Sequence, residues 1–185
     1  MSETEIPTQP IPRAELRKDS QTVTQQGEPI EERISGVVID RRPLLEDERG
    51  ELQEIYNPSW GMHPDPLVYA YFVGIRPRQV KGWVVHKLQD DRLFILKGVL
   101  RIALFDNRPD SQTYKMLNVF VISERKRAML IIPRGVFHAV KNIGNDDASF
   151  INLPTRPYNH KDPDKYRLPL KNDLIPFAFD DNSAT

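Results

Sequence analysis

The chain reads as an all-β fold, a sandwich or barrel. From Gly36 onward, short runs of alternating or β-branched residues are separated by Pro, Gly, Asn and Asp, the composition of strands and of the turns between them. No stretch sustains the 3.6-residue apolar spacing of a helix packed on a core. Many short strands bounded by turn signals are stable when they close into sandwiches or barrels.

Residues 1–32 come first and differ from the rest. They are rich in Ser, Thr, Gln, Glu and Pro with scattered Ile, Leu and Val, too little apolar surface to offset the entropy of ordering them. A disordered tail is expected there, followed by one domain over 33–180. The strand-like runs are 36–40, 50–56, 68–75, 80–88, 91–97, 100–106, 119–123, 128–132, 139–142 and 148–153. Lys97-Gly98 lies between two apolar runs and reads as a tight hairpin in which Gly supplies a positive φ. Asn107-Arg108-Pro109-Asp110-Ser111 breaks the next run, because Pro cannot donate to a ladder. Pro133-Arg134-Gly135 forms a second corner directly before Val136-Phe137-His138. The proline-rich stretch 152–179 carries Tyr158, Tyr166, Phe177 and Phe179. It is expected to lie extended over the barrel rather than to join a sheet.

Composition removes several function classes. The 26 basic and 26 acidic residues balance, whereas nucleic-acid and anionic-membrane surfaces need a basic excess. With no cysteine there is no disulfide, thiolate metal site or Cys nucleophile. Nor does the chain contain a GxSxG elbow, a Gly-rich phosphate loop or an HExxH pair. Residues 1–32 lack the apolar region of a secretory signal, and no run has the length of a membrane-spanning helix. A cytoplasmic location is expected.

Three segments read together: Asp47-Glu48-Arg49-Gly50-Glu51-Leu52-Gln53-Glu54, Lys81-Gly82-Trp83-Val84-Val85-His86 and Ile131-Ile132-Pro133-Arg134-Gly135-Val136-Phe137-His138. Between them stand Gly98-Val99 and Asp106-Asn107-Arg108-Pro109-Asp110-Ser111. In this order and spacing the chain resembles the dTDP-4-dehydrorhamnose 3,5-epimerases. That family carries a D-x-R-G-x-[FL]-x-E segment, an R-G-x-H strand, a G-x-[VL] hairpin followed by D-x-R-x-x-S, and an I-P-x-G-[FV]-x-H strand. The resemblance implies a cupin fold, a double-stranded β-helix or jelly roll. It further implies a homodimer and a nucleoside diphospho-sugar, dTDP-linked, in the barrel mouth; neither a metal nor another cofactor is expected.

Residue by residue, the resemblance makes His86 the base that removes a proton beside the sugar ketone. Asp173, near the C-terminus, would orient it. His138 would line the sugar site, and Arg49 and Glu54 would contact the diphosphate and the nucleobase. A guanidinium fork suits phosphate geometry. In place of the family's arginine three residues before the histidine stands Trp83, with Lys81 or Arg92 as substitutes. Arg92 is also the nearest cation for the family's enolate-stabilising lysine. The acid tyrosine falls at Asn152, which cannot donate a proton as an acid; Tyr158 matches a second tyrosine that packs on sugar or base.

Each position also has a plainer reading. Arg49 suits a turn making surface ion pairs. His86 suits a buried histidine, since Val84 and Val85 flank it. Trp83, Tyr69, Tyr71 and Phe94 suit the core as well as stacking. His63 and His160 sit in loops and read as surface residues. A cupin metal site needs two histidines two residues apart, a carboxylate and a later histidine; Val84 occupies the first position, leaving His86, Asp90 or Asp91, and His138. The function implied is an isomerase acting on a nucleotide-linked 4-keto-6-deoxy sugar, in deoxysugar or polysaccharide biosynthesis. A 3,4-ketoisomerase and a non-catalytic sugar-nucleotide-binding cupin are the alternatives.

Overall fold

The computed structural model describes residues 18–27 and 29–179. The chain divides into two units, Met1–Glu32 and Arg33–Thr185. In the first, a turn closed by Gly27 N–H on the Thr24 carbonyl (3.0 Å) and Ile30 N–H on the Thr22 carbonyl (2.9 Å) brings Val23 opposite Pro29. Most of the segment expected to be a disordered tail, residues 1–17, lies outside the described residues.

The second unit is a double-stranded β-helix. Its strands are β1 (Val38–Asp40), β2 (Leu45–Asp47), β3 (Gly50–Leu52), β4 (Tyr71–Ile75), β5 (Val80–Val85), β6 (Asp91–Lys97), β7 (Val99–Asp106), β8 (Leu117–Ser123), β9 (Met129–Ile132), β10 (Val136–Asn142), β11 (Ala148–Asn152) and β12 (Tyr166–Arg167). One five-stranded sheet has the order β1-β9-β6-β11-β4, the other β12-β5-β10-β7-β8, and β2 and β3 pair by themselves. All these pairings are antiparallel.

The main core lies between the two sheets and is built from their inward positions. Leu93 and Ile95 of β6, Ile102 and Leu104 of β7, Leu130 and Ile132 of β9 and Val136 and Val140 of β10 all contribute. Each such side chain contributes about 1.5–3 kcal/mol relative to exposure. The outward faces are covered too. Trp83, Val85, Phe105 and Phe137 pack with Ile175, Phe177 and Phe179 of the C-terminal segment, and Phe94, Met129 and Ile131 pack with Ile55 and Met62. Burial on both faces explains why 93–95 and 128–132 read as continuous apolar runs.

Two expectations change. Gly98 is not the turn of a hairpin: β6 and β7 pair with other strands and belong to different sheets. Gly98 instead takes the chain around the corner between sheets at φ +81°, where a Cβ would lie 2.9 Å from the Ala148 Cα. The C-terminal stretch also joins a sheet. Tyr166 and Arg167 pair with Val85 and Val84, because β5 would otherwise leave one edge of its ladder unpaired.

Candidate active site

A cavity of about 320 Å³ opens between the sheets. One wall belongs to the sheet of β5, β10 and β12 and carries Lys81, Val84, His86, His138, Lys165 and Arg167. The facing wall, from β4, β6 and β11, carries Tyr71, Asp91, Leu93 and Asn152. Strand alternation decides membership. Val84 and His86 point in, while Trp83 and Val85 point out. Lys165 and Arg167 likewise flank the outward Tyr166, whose ring carries Lys87 Nζ 4.3 Å from its centroid.

Asp91 joins the walls. Its Oδ2 lies 3.3 Å from His86 Nε2 and 3.5 Å from His138 Nε2, and its Oδ1 accepts from Gln89 Nε2 at 2.9 Å. Burial opposes its ionisation and is the largest influence, but the His86 hydrogen bond and the neighbouring histidines outweigh it and hold the carboxyl at about 2. On the far side of its ring, His86 Nδ1 meets the Asp164 carbonyl. Burial, the largest single influence on His86, disfavours its charged form; Asp91 and the Asp164 carbonyl together prevail, and the pKa is raised. For His138 the balance runs the other way. Burial, the largest influence, pushes it down to about 4, with Asp91 offsetting only part.

Asp164 does more than meet His86. Its carboxylate accepts from the backbone N–H groups of Lys87 (2.9 Å), Leu88 (2.7 Å) and Gln89 (3.1 Å), so one residue caps the β5–β6 connection and places the imidazole. Lys165 stands at the mouth, where partial burial and then the Arg167 charge hold its pKa down. Across the cavity, Asn152 Nδ2 donates to Tyr71 Oη at 2.8 Å. Burial and then the Asp91 charge push that phenol up to about 12.

The structure gathers His86, His138, Lys81 and Asn152 at this cavity and places the other expected residues elsewhere. Asp173 is exposed, and Asp164 meets His86 in its stead. Arg92 points away from the cavity. Its guanidinium donates to the carbonyls of Leu153 (2.6 Å), Asp65 (3.0 Å), Pro66 (3.0 Å) and Pro154 (3.3 Å), tying loops to β6. Trp83 is fully buried on the outward face, its ring centroid 5.7 Å from that of Phe179. Arg49 is held by Asp47 at 2.6 Å on the β2–β3 hairpin, and Glu54 is exposed just beyond it. Tyr158 lines a small adjoining pocket with Tyr69, His86 and Lys165 and packs edge-on to His160. His63, read as a surface residue, has its side chain only 10% exposed and reaches Asp90 at 3.0 Å. Aligned on Gly82, the R-G-x-H pattern puts Lys81 at the arginine and Val84 at the histidine, so His86 occupies the next inward position, directly after β5.

Asp91, Asp164, Lys165, Arg167 and Tyr71 were not singled out as proton-transfer or anion-binding groups. Alternation could have shown Asp91 inward with Leu93, and Tyr71 inward with Val73. The β12 pairing that brings in Lys165 and Arg167 has no local signal in a two-residue strand.

Two clusters among the described residues bring three potential metal ligands within 4.8 Å of one another, His86 with Asp91 and His138, and His63 with Asp65 and Asp90. In the second, Asp90 is engaged by Arg134 at 3.0 Å. The first suits a divalent ion. With Nδ1 of His86 against a carbonyl, Nε2 is the nitrogen that would be free to ligate an ion placed beside Asp91 and His138.

The sequence profile of dTDP-4-dehydrorhamnose 3,5-epimerase matches residues 31–172. The chain belongs to this family. Among the family's relatives, a probable low-salt glycan biosynthesis epimerase of Haloferax volcanii is 33% identical over 124 residues, covering 66% of this chain and 80% of that protein. A spore coat polysaccharide biosynthesis protein of Bacillus subtilis is 28% identical over 144 residues, 78% of this chain and 95% of the relative. The barrel superposes on a dTDP sugar isomerase from Desulfovibrio desulfuricans with a TM-score of 0.73 at 22% identity, covering 78% and 91% of the two chains. It also superposes on a Bacillus anthracis dTDP-4-dehydrorhamnose 3,5-epimerase at 0.70 and 17% identity, covering 80% and 87%. Membership in the epimerase family thus agrees with the jelly-roll fold. No helix of the described residues is long and apolar enough to cross a membrane.

Proposed function

We propose that this chain is an isomerase of the epimerase type, acting on a nucleotide-linked 4-keto-6-deoxy sugar, dTDP-linked, in the cytoplasmic assembly of a polysaccharide or glycan, and working as a homodimer. The observation that carries the reading is His86, aimed into the cavity between the sheets with Nε2 3.3 Å from Asp91 and Nδ1 against the Asp164 carbonyl. Such an imidazole is oriented, and Asp91 and the Asp164 carbonyl stabilise the imidazolium that forms when it takes a proton, which is the sense in which its pKa is raised. Removal of the proton beside the ketone leaves an enolate, which needs positive charge nearby. Lys165 is the cation beside His86 in both the cavity and its side pocket. Lys81 and Arg167 at the mouth suit the diphosphate. Two features of relatives support the substrate class. A Bacillus anthracis family structure holds TDP and pyrophosphate, and a Streptomyces spheroides structure is a 4-keto-6-deoxy sugar epimerase.

A second reading has its own observation, the convergence of His86, Asp91 and His138. An ion there would polarise the ketone directly. One experiment addresses both: incubate the purified protein with dTDP-4-keto-6-deoxyglucose, follow C3 and C5 configuration by NMR, and measure bound metal before and after chelation. Inverted product formed equally by metal-free protein supports the proposal. Product only from protein carrying about one equivalent of metal, lost on Asp91→Asn, supports the second reading. Binding without any conversion makes the chain a sugar-nucleotide-binding protein, and absence of binding removes the substrate assignment.

A further inference from the structure

Resting on the epimerase reading, we propose that Tyr71 is the acid that returns the proton to the sugar, taking the role of the tyrosine that this chain lacks at position 152. Asn152 and Tyr71 are direct cross-strand partners in the β11–β4 ladder, and both line the cavity. A cross-strand neighbour stands about 5 Å away on the same face, so the phenol enters the cavity from the adjacent strand.

Hydrogen bonding sets the direction of its proton. Asn152 Oδ1 accepts from the Arg92 N–H at 3.3 Å, which fixes the amide with Nδ2 toward Tyr71. That Nδ2 donates to the phenolic oxygen at 2.8 Å. The phenol is an acceptor in this bond, and its own O–H remains to be given to a ligand. Asn152, unable to serve as an acid, thereby becomes a positioning residue for the group that can. The Tyr69 ring, 5.6 Å away between centroids, packs beside it.

The two groups also stand where inversion needs them. His86 follows β5 on one wall and Tyr71 opens β4 in the other sheet, so a sugar ring between them meets base and acid on opposite faces. Proton removal breaks the C–H bond, and its electron pair enters the enolate as His86 takes the proton. Tyr71 O–H then forms the new C–H bond from the other face, leaving a phenolate. His86 loses a proton to solvent and Tyr71 regains one, so the cycle closes without a further reactant. Tyr158 is a weaker candidate, being 41% exposed in the side pocket and packed on His160.

The test compares wild type, Tyr71→Phe and the double variant Tyr71→Phe/Asn152→Tyr with dTDP-4-keto-6-deoxyglucose in heavy water. Deuterium content is read by mass spectrometry and configuration by NMR. Thermal melts and dTDP titration confirm that each variant folds and binds. Tyr71→Phe is expected to exchange deuterium into recovered substrate with retained configuration, since His86 still takes and returns a proton on its own face. Its inversion falls about 100-fold or more. The double variant, with a phenol returned to position 152, recovers inversion. Wild-type inversion rates in Tyr71→Phe would overturn the assignment while leaving the epimerase reading intact. Loss of both exchange and inversion in a folded, binding Tyr71→Phe would also overturn it. A wild type that neither exchanges nor inverts removes both proposals together.

Discussion

Asp91 is a carboxylate almost wholly buried between two imidazoles, and a lone charge there would be costly. Its partners make it stable, and it in turn decides how His86 presents its ring. Asp91→Asn should leave the barrel folded and dTDP binding within a few-fold of wild type. Sugar conversion should drop by about 100-fold, because an amide cannot offset the burial that disfavours a charged His86. Conversion at wild-type rate in this variant, measured by NMR, would show that the Asp91–His86 contact is structural. Of these residues, His138 was legible as the end of the I-P-x-G-[FV]-x-H pattern, and His86 as the histidine nearest the R-G-x-H pattern, sharing the face of Val84 by alternation. Asp173 was read in place of Asp164 because the orienting contact is made through a backbone carbonyl and spans 78 positions, a relation no local pattern records. Arg92 and Trp83 were read as cavity residues although strand alternation turns both outward, away from Asp91 and Val84.

At the scale of elements, the Asp106-x-Arg108-x-x-Ser111-x-Thr113 segment is a structural lock. Asp106 accepts from Arg108 Nε (2.8 Å), Ser111 Oγ (2.6 Å) and Thr113 Oγ1 (2.7 Å). Arg108 Nη2 donates in turn to the Ser35 carbonyl at 2.8 Å, and Ser35 N–H donates to Thr113 Oγ1 at 2.9 Å. The loop after β7 thereby fastens the segment leading into β1. Burial works against the Asp106 charge, but these donors hold its pKa well below the usual carboxylate range. A carboxylate depressed on folding adds stability above its unfolded pKa, near 3.9, and that contribution is lost as pH falls below it. Melting curves should therefore drop steeply below about pH 4 in wild type. Asp106→Asn should be less stable at pH 7 by roughly 2 to 4 kcal/mol and lose part of that acid slope. An Asp106→Asn melt matching wild type at pH 7 would contradict the lock. The motif was visible in the sequence; its structural purpose was not, since Ser35 and Thr113 meet only in the folded chain.

For the whole molecule, an all-β sandwich or barrel was legible because period-two alternation and turn residues survive in a single sequence, and the jelly roll was legible only through the resemblance of the motif segments to the epimerase family. The assignment of strands to sheets was not: at Gly98 a sheet-to-sheet corner and a hairpin share the same local signal. That corner sends β6, with Asp91, to one sheet and β7 to the other, and the site exists because its two walls come from different sheets. The account therefore stands on a proton passing through His86 in that space. Its most direct test is solvent deuterium entering the dTDP-4-keto-6-deoxy sugar, compared between wild type and His86→Gln under matched dTDP binding. Deuterium at C3, at C5 or at both with wild type, and none above background with His86→Gln, is the predicted result. Equal incorporation by the two proteins would contradict it.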